Sequence, residues 1–219
     1  FIKLVTKDPS IVIGDTLESE TFEVQSYRFR DPTSGRTMIM VDTPGFDDSR
    51  EGVTDTEILK RIASFLVKEY GEARKLTGLI YFQRISDNKF TGQSGRNLTM
   101  FKSLCGAETY KNVVVLTTFW DRVSNEEGVK REMELRSRVF KDLVDGGSHF
   151  MQFNRTMDSA NKVLRHILTL APRNIQIQKE ICVDGKELGE TAAGSVRQEE
   201  IAHIISNHTE QIAELQAEV

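Results

Sequence analysis

Asp42 and Gly45 are the residues whose types and spacing first point to chemistry. Asp42 follows an apolar run at positions 38–41, which predicts a strand buried on both faces, as in a parallel sheet. The carboxyl ends of such strands are where open α/β sheets hold their ligands. A carboxylate there can hold a magnesium ion through water, and the backbone N–H of Gly45, which no side chain covers, can approach a phosphate oxygen. A buried strand followed by a Pro-Gly turn is the plainer interpretation.

The segment Asp42-Thr43-Pro44-Gly45-Phe46 resembles the Asp-x-x-Gly segment of TRAFAC-class GTPases. It resembles most the septin-like and avirulence-induced (immune-associated) branch, including its fungal members, and the resemblance runs from Phe1 to about Leu170. This implies an α/β fold, the three-layer αβα P-loop NTPase fold of a G domain, which binds GTP and GDP with Mg²⁺. The family's phosphate-binding loop, Gly-x-x-x-x-Gly-Lys-Ser/Thr, does not occur in these residues. We therefore expect an N-terminal truncation that removes the first strand and this loop.

The resemblance implies that two residues complete the magnesium shell. One is Asp42, and the other is Thr21, which closes a polar loop at positions 14–21 and matches the threonine of the family's first switch. Gly45 would contact the γ-phosphate. For Thr21, an ordinary strand-capping role is the alternative.

The nucleobase would be recognised after a strand predicted at positions 113–116. Family members carry Asn/Thr-Lys-x-Asp there, and this chain has Thr118-Phe119-Trp120-Asp121. By resemblance, Asp121 accepts hydrogen bonds from guanine, with Thr118 in the same nucleotide-binding motif. A turn residue ahead of the next helix is the alternative for Asp121. Phe119 stands where a lysine usually lays its stem along the base, and it can stack there instead, with Trp120 as a second aromatic surface.

Asn154 and Arg155 lie where the family's base-contacting loop belongs, a loop that acts mostly through backbone amides. The catalytic residue stays unknown. Ras-like GTPases orient the attacking water with a glutamine directly after the Asp-x-x-Gly glycine, and this chain has Phe46 there, which has no polar side-chain atom. Hydrolysis of GTP to GDP is therefore expected to be slow, or to need a residue supplied by a partner or by a second copy of the domain.

The elements that must position these residues follow from apolar spacing and capping residues. An Asp-Pro-x-x-Gly turn at positions 31–35 predicts that the Asp42 strand pairs in antiparallel fashion with a strand over 22–30. Further strands are predicted at positions 79–82, 113–116 and 150–153, and helix starts at Thr54, Ser124 and either Thr156 or Ser159, with a helix end at Gly106. This alternation of strands and helices favours an α/β fold independently of the resemblance.

Pro172 marks the expected boundary between a G domain, residues 1–170, and a helical extension, residues 171–219. The extension ends in a possible coiled-coil seam, formed by Ile201, Ile205, His208, Ile212, Leu215 and Val219. The seam is shorter than the three or four heptads that define a coiled coil. It fits a helix folded back on the domain, and it also fits a homodimer or a helical protein partner.

Composition excludes several classes of function. The formal net charge is −4 with both signs interspersed, so a nucleic-acid partner is not expected, and no apolar run is long enough to span a membrane. Cys105 and Cys182, the only cysteines, are far apart, which predicts reduced thiols and a cytoplasmic location. His149 and His166 have no ligand-spaced companions and are expected to be structural.

The sequence therefore predicts a GTP-binding protein with slow, Mg²⁺-dependent hydrolysis that acts as a conformational switch. The alternative is a nucleotide-regulated or nucleotide-free interaction module that works through its C-terminal helices. Slow hydrolysis that accelerates with protein concentration favours the first, and tight binding without turnover favours the second.

Overall fold

The computed structural model describes residues 1–11, 23–46, 54–70, 75–196 and 198. Its elements are α1 (Ile2–Thr6), β1 (Gln25–Arg30), β2 (Thr37–Asp42), α2 (Asp55–Phe65), β3 (Leu79–Arg84), α3 (Gly92–Cys105), β4 (Val113–Thr118), α4 (Asn125–Glu134), α5 (Lys141–Asp145), β5 (His149–Gln152), α6 (Met157–Leu168) and α7 (Gln176–Gln178). Thr21 and the seam over 201–219 lie outside the described residues, so the statements about them stay predictions.

The central element is the strand β4, which pairs in parallel with β3 on one side and β5 on the other. Its first four residues are wholly buried because the strand has a hydrophobic layer on each face. Val113 and Val115 belong to one core cluster, whereas Val114 and Leu116 belong to the other. The prediction of a central, doubly buried strand is confirmed, and it makes the domain three-layered.

Helices cover both faces of this sheet. The larger cluster draws on α2 and α3, on Phe140 and on the segment that follows α6. The smaller cluster is formed by α1 and α6, through Val5 and the buried side of α6 at Ala160, Val163, Leu164 and Ile167. The start of α1 is thereby held against the sheet.

The helix starts are fixed by side-chain caps, as the sequence predicts. The hydroxyl oxygens of Thr54, Ser124 and Thr156 accept hydrogen bonds from backbone N–H groups three residues further along α2, α4 and α6. Gly106 ends α3 with a φ of 77°, a conformation that favours glycine. The choice between Thr156 and Ser159 is thus settled in favour of Thr156.

The hairpin β1–β2 forms its own antiparallel sheet, with Arg30 opposite Thr37 and Gln25 opposite Asp42. Asp31 closes the turn by accepting hydrogen bonds from the backbone N–H groups of Thr33 and Ser34. The predicted antiparallel pairing is confirmed.

The prediction that positions 38–41 are buried on both faces is wrong, since Ile39 is 44% exposed. In the described residues β2 pairs with β1 alone, so alternate side chains of the ribbon face outward. Phe82 of β3 is 50% exposed for a similar reason, because β3 lies at the edge of its three-stranded sheet in the described residues.

Residues 175–193 pack onto the domain core. Ile175 and Ile177 are each 1% exposed and Ala193 is fully buried, all within the larger cluster. The buried Glu180 carboxylate forms an ion pair with Lys186, 3.1 Å away, and accepts hydrogen bonds from the Ala192 backbone N–H. This part of the extension is therefore attached to the domain by apolar burial and by one satisfied buried charge.

None of the described helices is long and apolar enough to cross a membrane. Cys105, which is buried, and Cys182 are not joined in a disulfide. Burial raises the pKa of the Cys105 thiol, so this group stays protonated at neutral pH.

Candidate functional site

The predicted site residues lie where the strands end. Asp42 is the last residue of β2, Thr118 is the last residue of β4, and Arg155 follows β5 by three positions. The charges of Asp42 and Arg155 both act on the backbone nitrogen of Phe1. Both side chains therefore lie within electrostatic range of the backbone nitrogen at the start of α1. Elements that are distant in sequence meet at this point.

Asp121 and Arg155 are brought together from two neighbouring strand ends. A guanidinium nitrogen of Arg155 lies 3.9 Å from a carboxylate oxygen of Asp121, and the guanidinium carbon lies 4.6 Å from the centre of the Phe119 ring. Arg122 approaches the same carboxylate at 3.8 Å. Because the Asp121 and Arg155 side chains are both more than half exposed, this ion pair is weak and can be replaced by a ligand.

Two residues of this group have left-handed backbone conformations that are uncommon outside glycine. Phe119 has φ 60° and ψ 36°, and Arg155 has φ 62°. Such conformations cost of the order of 1 kcal/mol or more each and collect at functional sites. At Phe119 the turn redirects the chain from β4 into the short helical turn Trp120–Arg122, which presents Asp121 to solvent.

Thr117 and Trp120 fix the base of this loop. The buried Thr117 hydroxyl donates to the backbone carbonyl of Met151 at 3.2 Å and accepts from the indole N–H of Trp120 at 3.1 Å. The indole ring packs so closely on Gly128 that a Cβ there would lie 2.6 Å from Trp120 Cζ3. Trp120 thus anchors the loop, and Phe119 is the aromatic ring that lies beside Asp121.

Thr118 and Asn154 are positioned by single hydrogen bonds. The Thr118 hydroxyl donates to the Gln83 carbonyl at a long 3.4 Å, and the Thr118 carbonyl accepts from the Ile85 N–H at 2.9 Å. Asn154 is exposed, and its side-chain oxygen accepts from the hydroxyl of Thr156, the N-cap of α6, at 2.7 Å. The Asn154 amide is therefore oriented by the helix that follows it.

Gly45 is exposed and open on its Cβ side. No described heavy atom lies within 4 Å of where a Cβ would sit, and φ is not positive. Neither crowding nor a positive φ in the described residues requires a glycine here, so its backbone is open to approach. Pro44 is buried and Phe46 packs against the larger core cluster, so these two residues hold the Gly45 backbone from either side.

Asp42 fits a magnesium ion better than a metal that needs several protein ligands. Among the described residues there is no group of three or more His, Cys, Asp or Glu side chains that could hold a metal. Mg²⁺ keeps several waters and is commonly held by one or two protein oxygens together with phosphate oxygens. A single strand-end carboxylate is compatible with that mode.

Arg84 is a residue of this site that the sequence reasoning missed. It is the last residue of β3, it pairs in register with Thr118, and its guanidinium carbon lies 5.2 Å from the centre of the Phe119 ring. A charged residue at the carboxyl end of a predicted strand was the available signal, the same signal that singled out Asp42.

Comparison with solved structures identifies the fold. The structure of Toc33 from Arabidopsis thaliana in complex with Mg²⁺ and GMPPNP matches with a TM-score of 0.57 at 15% identity, over 79% of this chain and 81% of that chain. A dimerization-deficient Toc33 mutant from the same plant matches with a TM-score of 0.52 at 15% identity, over 71% of this chain and 65% of that chain. No protein-family profile and no curated protein sequence matches this chain. The fold is that of a G domain, a three-layer αβα P-loop NTPase.

Proposed function

We propose that this protein binds GTP and GDP with Mg²⁺ and hydrolyses GTP slowly, as a conformational switch. The observation that carries the proposal is the meeting of Asp121 and Arg155, 3.9 Å apart, beside the Phe119 ring where β4 and β5 end, with Asp42 as the last residue of β2. Ligands of open α/β sheets bind at that edge. The G-domain fold, and the Mg²⁺ and GMPPNP bound by the Toc33 neighbour, support a nucleotide as the ligand.

Each residue has a distinct role in this proposal. Asp42 and Thr21 hold the magnesium ion, which neutralises phosphate charge when bound, and Gly45 donates its N–H to the γ-phosphate. Asp121 accepts from guanine, while Thr118 supports the loop. Asn154 and Arg155 contribute the backbone amides of the base-contacting loop. Loss of the γ-phosphate would release the loops around Thr21 and Gly45.

Slow turnover follows from Phe46. Its ring packs against the core at the position where a water-orienting glutamine would have to lie. The chain therefore depends on a group from elsewhere for fast hydrolysis, and a second copy of the domain is our proposal for its source. Dimerization is a property named for the Toc33 neighbour.

We further propose membership of the septin-like and avirulence-induced branch, and a cytosolic setting. The segment from Asp42 to Phe46 supports the branch, and two cysteines that form no disulfide with each other support a reducing compartment. The domain is proposed to be completed by a first strand and phosphate loop. In the described residues β2 and β3 each have one unpaired edge, and the start of α1 lies beside Asp42. A strand between those edges would end at that helix.

Calorimetric titration with GTP, with and without Mg²⁺, tests this proposal. The full-length protein should bind GTP tightly in a Mg²⁺-dependent manner, and Asp42→Asn should remove most of that dependence. Residues 1–219 alone should bind poorly, because the charge-assisted bonds from a phosphate loop are worth about 1.5–3 kcal/mol each. Absence of GTP binding in the full-length protein would overturn the function. Micromolar binding by residues 1–219 would overturn only the need for the loop.

A nucleotide-regulated or nucleotide-free interaction module is the second candidate. The observation that favours it is again Phe46, whose ring packs against the larger core cluster and has no polar atom that could orient a water beside Gly45. Hydrolysis measured over a range of protein concentrations separates the two. A rate per molecule that rises with concentration supports the GTPase, whereas tight GTP binding without turnover at any concentration supports the module.

A further inference from the structure

Phe119 is approached by two arginines that come from the strands on either side of β4. Arg84 ends β3, and its guanidinium carbon lies 5.2 Å from the ring centre. Arg155 follows β5, and its guanidinium carbon lies 4.6 Å from the same centre. Both distances fall within the range of a cation–π interaction, which is about 6 Å.

The two arginines differ in what else they contact. Arg155 also lies 3.9 Å from Asp121, so its guanidinium spans the ring and the carboxylate that are expected to hold the base. A guanidinium is planar and offers adjacent N–H donors, as does the Watson–Crick edge of guanine. Arg155 therefore occupies the place that a guanine base would take.

Arg84 contacts the ring without blocking Asp121. It is exposed and forms no ion pair with another residue in the described part of the chain. Its backbone is held beside β4, because Arg84 pairs in register with Thr118 and the next residue, Ile85, donates to the Thr118 carbonyl. The backbone of Arg84 is therefore held in place, and in the described residues its guanidinium contacts one aromatic ring, that of Phe119.

We propose that Arg84 is a nucleobase-binding residue, which forms the stacking platform together with Phe119 while the base displaces the guanidinium of Arg155. The inference rests on the proposed binding of GTP. Arg155 is then the internal occupant with which the base competes.

The proposal predicts effects of opposite sign for the two arginines. In the full-length protein, Arg84→Ala should weaken GTP binding about 3- to 30-fold, the range for a cation–π contact. Arg155→Ala should tighten GTP binding about 3- to 10-fold, because one stacking contact and one exposed ion pair no longer oppose the base. Arg165→Ala is the control, since Arg165 is exposed on α6 and donates to the Asn161 carbonyl, away from Asp121 in sequence and contacts, and it should change GTP affinity less than twofold.

Titration with inorganic tripolyphosphate separates base binding from general charge. This probe has no base, so Arg84→Ala should leave its affinity unchanged, and Arg84→Lys should recover part of the lost GTP affinity. Unchanged GTP affinity in Arg84→Ala, or an equal loss of affinity for GTP and tripolyphosphate, would overturn the proposed role of Arg84 and leave the proposed function standing. Weaker GTP binding in Arg155→Ala would overturn the competition. Absence of GTP binding in the unmodified protein would overturn the proposed function and this inference together.

Discussion

At the scale of single residues, the site depends on side chains that are positioned by backbone turns at strand ends. The left-handed turn at Phe119 is one example, because it brings Asp121 out of line with β4 and next to Arg155. Both side chains of this pair are largely solvated, so their ion pair contributes little to the stability of the fold and a ligand can replace it.

Asp121→Ala tests guanine recognition in the full-length protein. A carboxylate can accept from two adjacent N–H donors of guanine, and adenine presents no such pair. We expect the substitution to weaken the binding of GTP by about 1–3 kcal/mol and to leave the binding of ATP nearly unchanged. Competition binding with both nucleotides measures this. Equal losses for GTP and ATP would show that Asp121 is a structural turn residue.

His166 should make stability depend on pH. Its ring lies 4.1 Å from that of His149, and its Nε2 is buried without a hydrogen-bond partner among the described residues. Burial, and to a lesser extent the His149 charge, lowers the pKa of His166 from its ordinary 6.5. The folded state thus binds the proton less readily than the unfolded state, so this stability is fully present above pH 6.5 and is lost as pH falls below it.

Thermal denaturation from pH 7.5 to pH 5 measures the effect. The melting temperature should fall as the pH is lowered below about 6.5. The His166→Phe substitution should reduce the slope of melting temperature against pH in that range. His149→Gln should reduce it less. An unchanged slope in His166→Phe would assign the pH dependence to other groups.

At the scale of secondary-structure elements, α4 supports the loop that carries Asp121. Gly128 lies in the interior of α4 and contacts the Trp120 ring, whereas Gly95 lies in the interior of α3 with only Phe90 nearby, at 3.9 Å from its Cβ position. Two glycines in similar helical positions therefore differ in the space around them.

Gly128→Ala and Gly95→Ala form a matched pair. The first should destabilise the protein by about 1–3 kcal/mol through overpacking, and it should shift the fluorescence of Trp120, the only tryptophan of these 219 residues. The second should stabilise by up to about 1 kcal/mol, since alanine is the better helix former. Urea denaturation with tryptophan fluorescence detects both. Equal effects of the two substitutions would rule out a tight Gly128–Trp120 contact.

At the scale of the whole molecule, the segment after α6 shares the core of the domain. Ile175 and Ile177 lie among the side chains of α2 and α3, so the expected boundary near Pro172 does not coincide with a break in packing. The described part of the extension and the seam over 201–219 should therefore respond differently to removal.

Two truncations test this difference. Removal of residues 171–219 should destabilise the domain severely, since each buried isoleucine contributes about 1.5–3 kcal/mol. Removal of residues 199–219 leaves Ile175 and Ile177 in place and should lower the melting temperature less. Sedimentation of the same variants tests the proposed dimer, because loss of the seam should lower the mass if the seam joins two copies. Equal melting temperatures for both truncations would contradict the role of Ile175 and Ile177.

By itself, the sequence determined the features that depend on local chemistry and on apolar periodicity. The run at 113–116 is continuously apolar and three of its four residues are the β-branched valine, which suffices to predict a central strand. Thr54 and Ser124 predict helix starts because capping is local. Asp42 could be found in the same way, as a carboxylate directly after a strand.

Only the tertiary structure decided which of these residues meet. Ile39 belongs to a run predicted to be buried on both faces, yet it is exposed, as is Phe82 of β3, because each strand lies at an edge in the described residues. The contact of Arg84 with Phe119 depends on the register between β3 and β4, and that of Arg155 on the pairing of β4 with β5. Parallel strands are joined by long crossovers and not by tight turns, so their order and register depend on packing between elements that are distant in sequence.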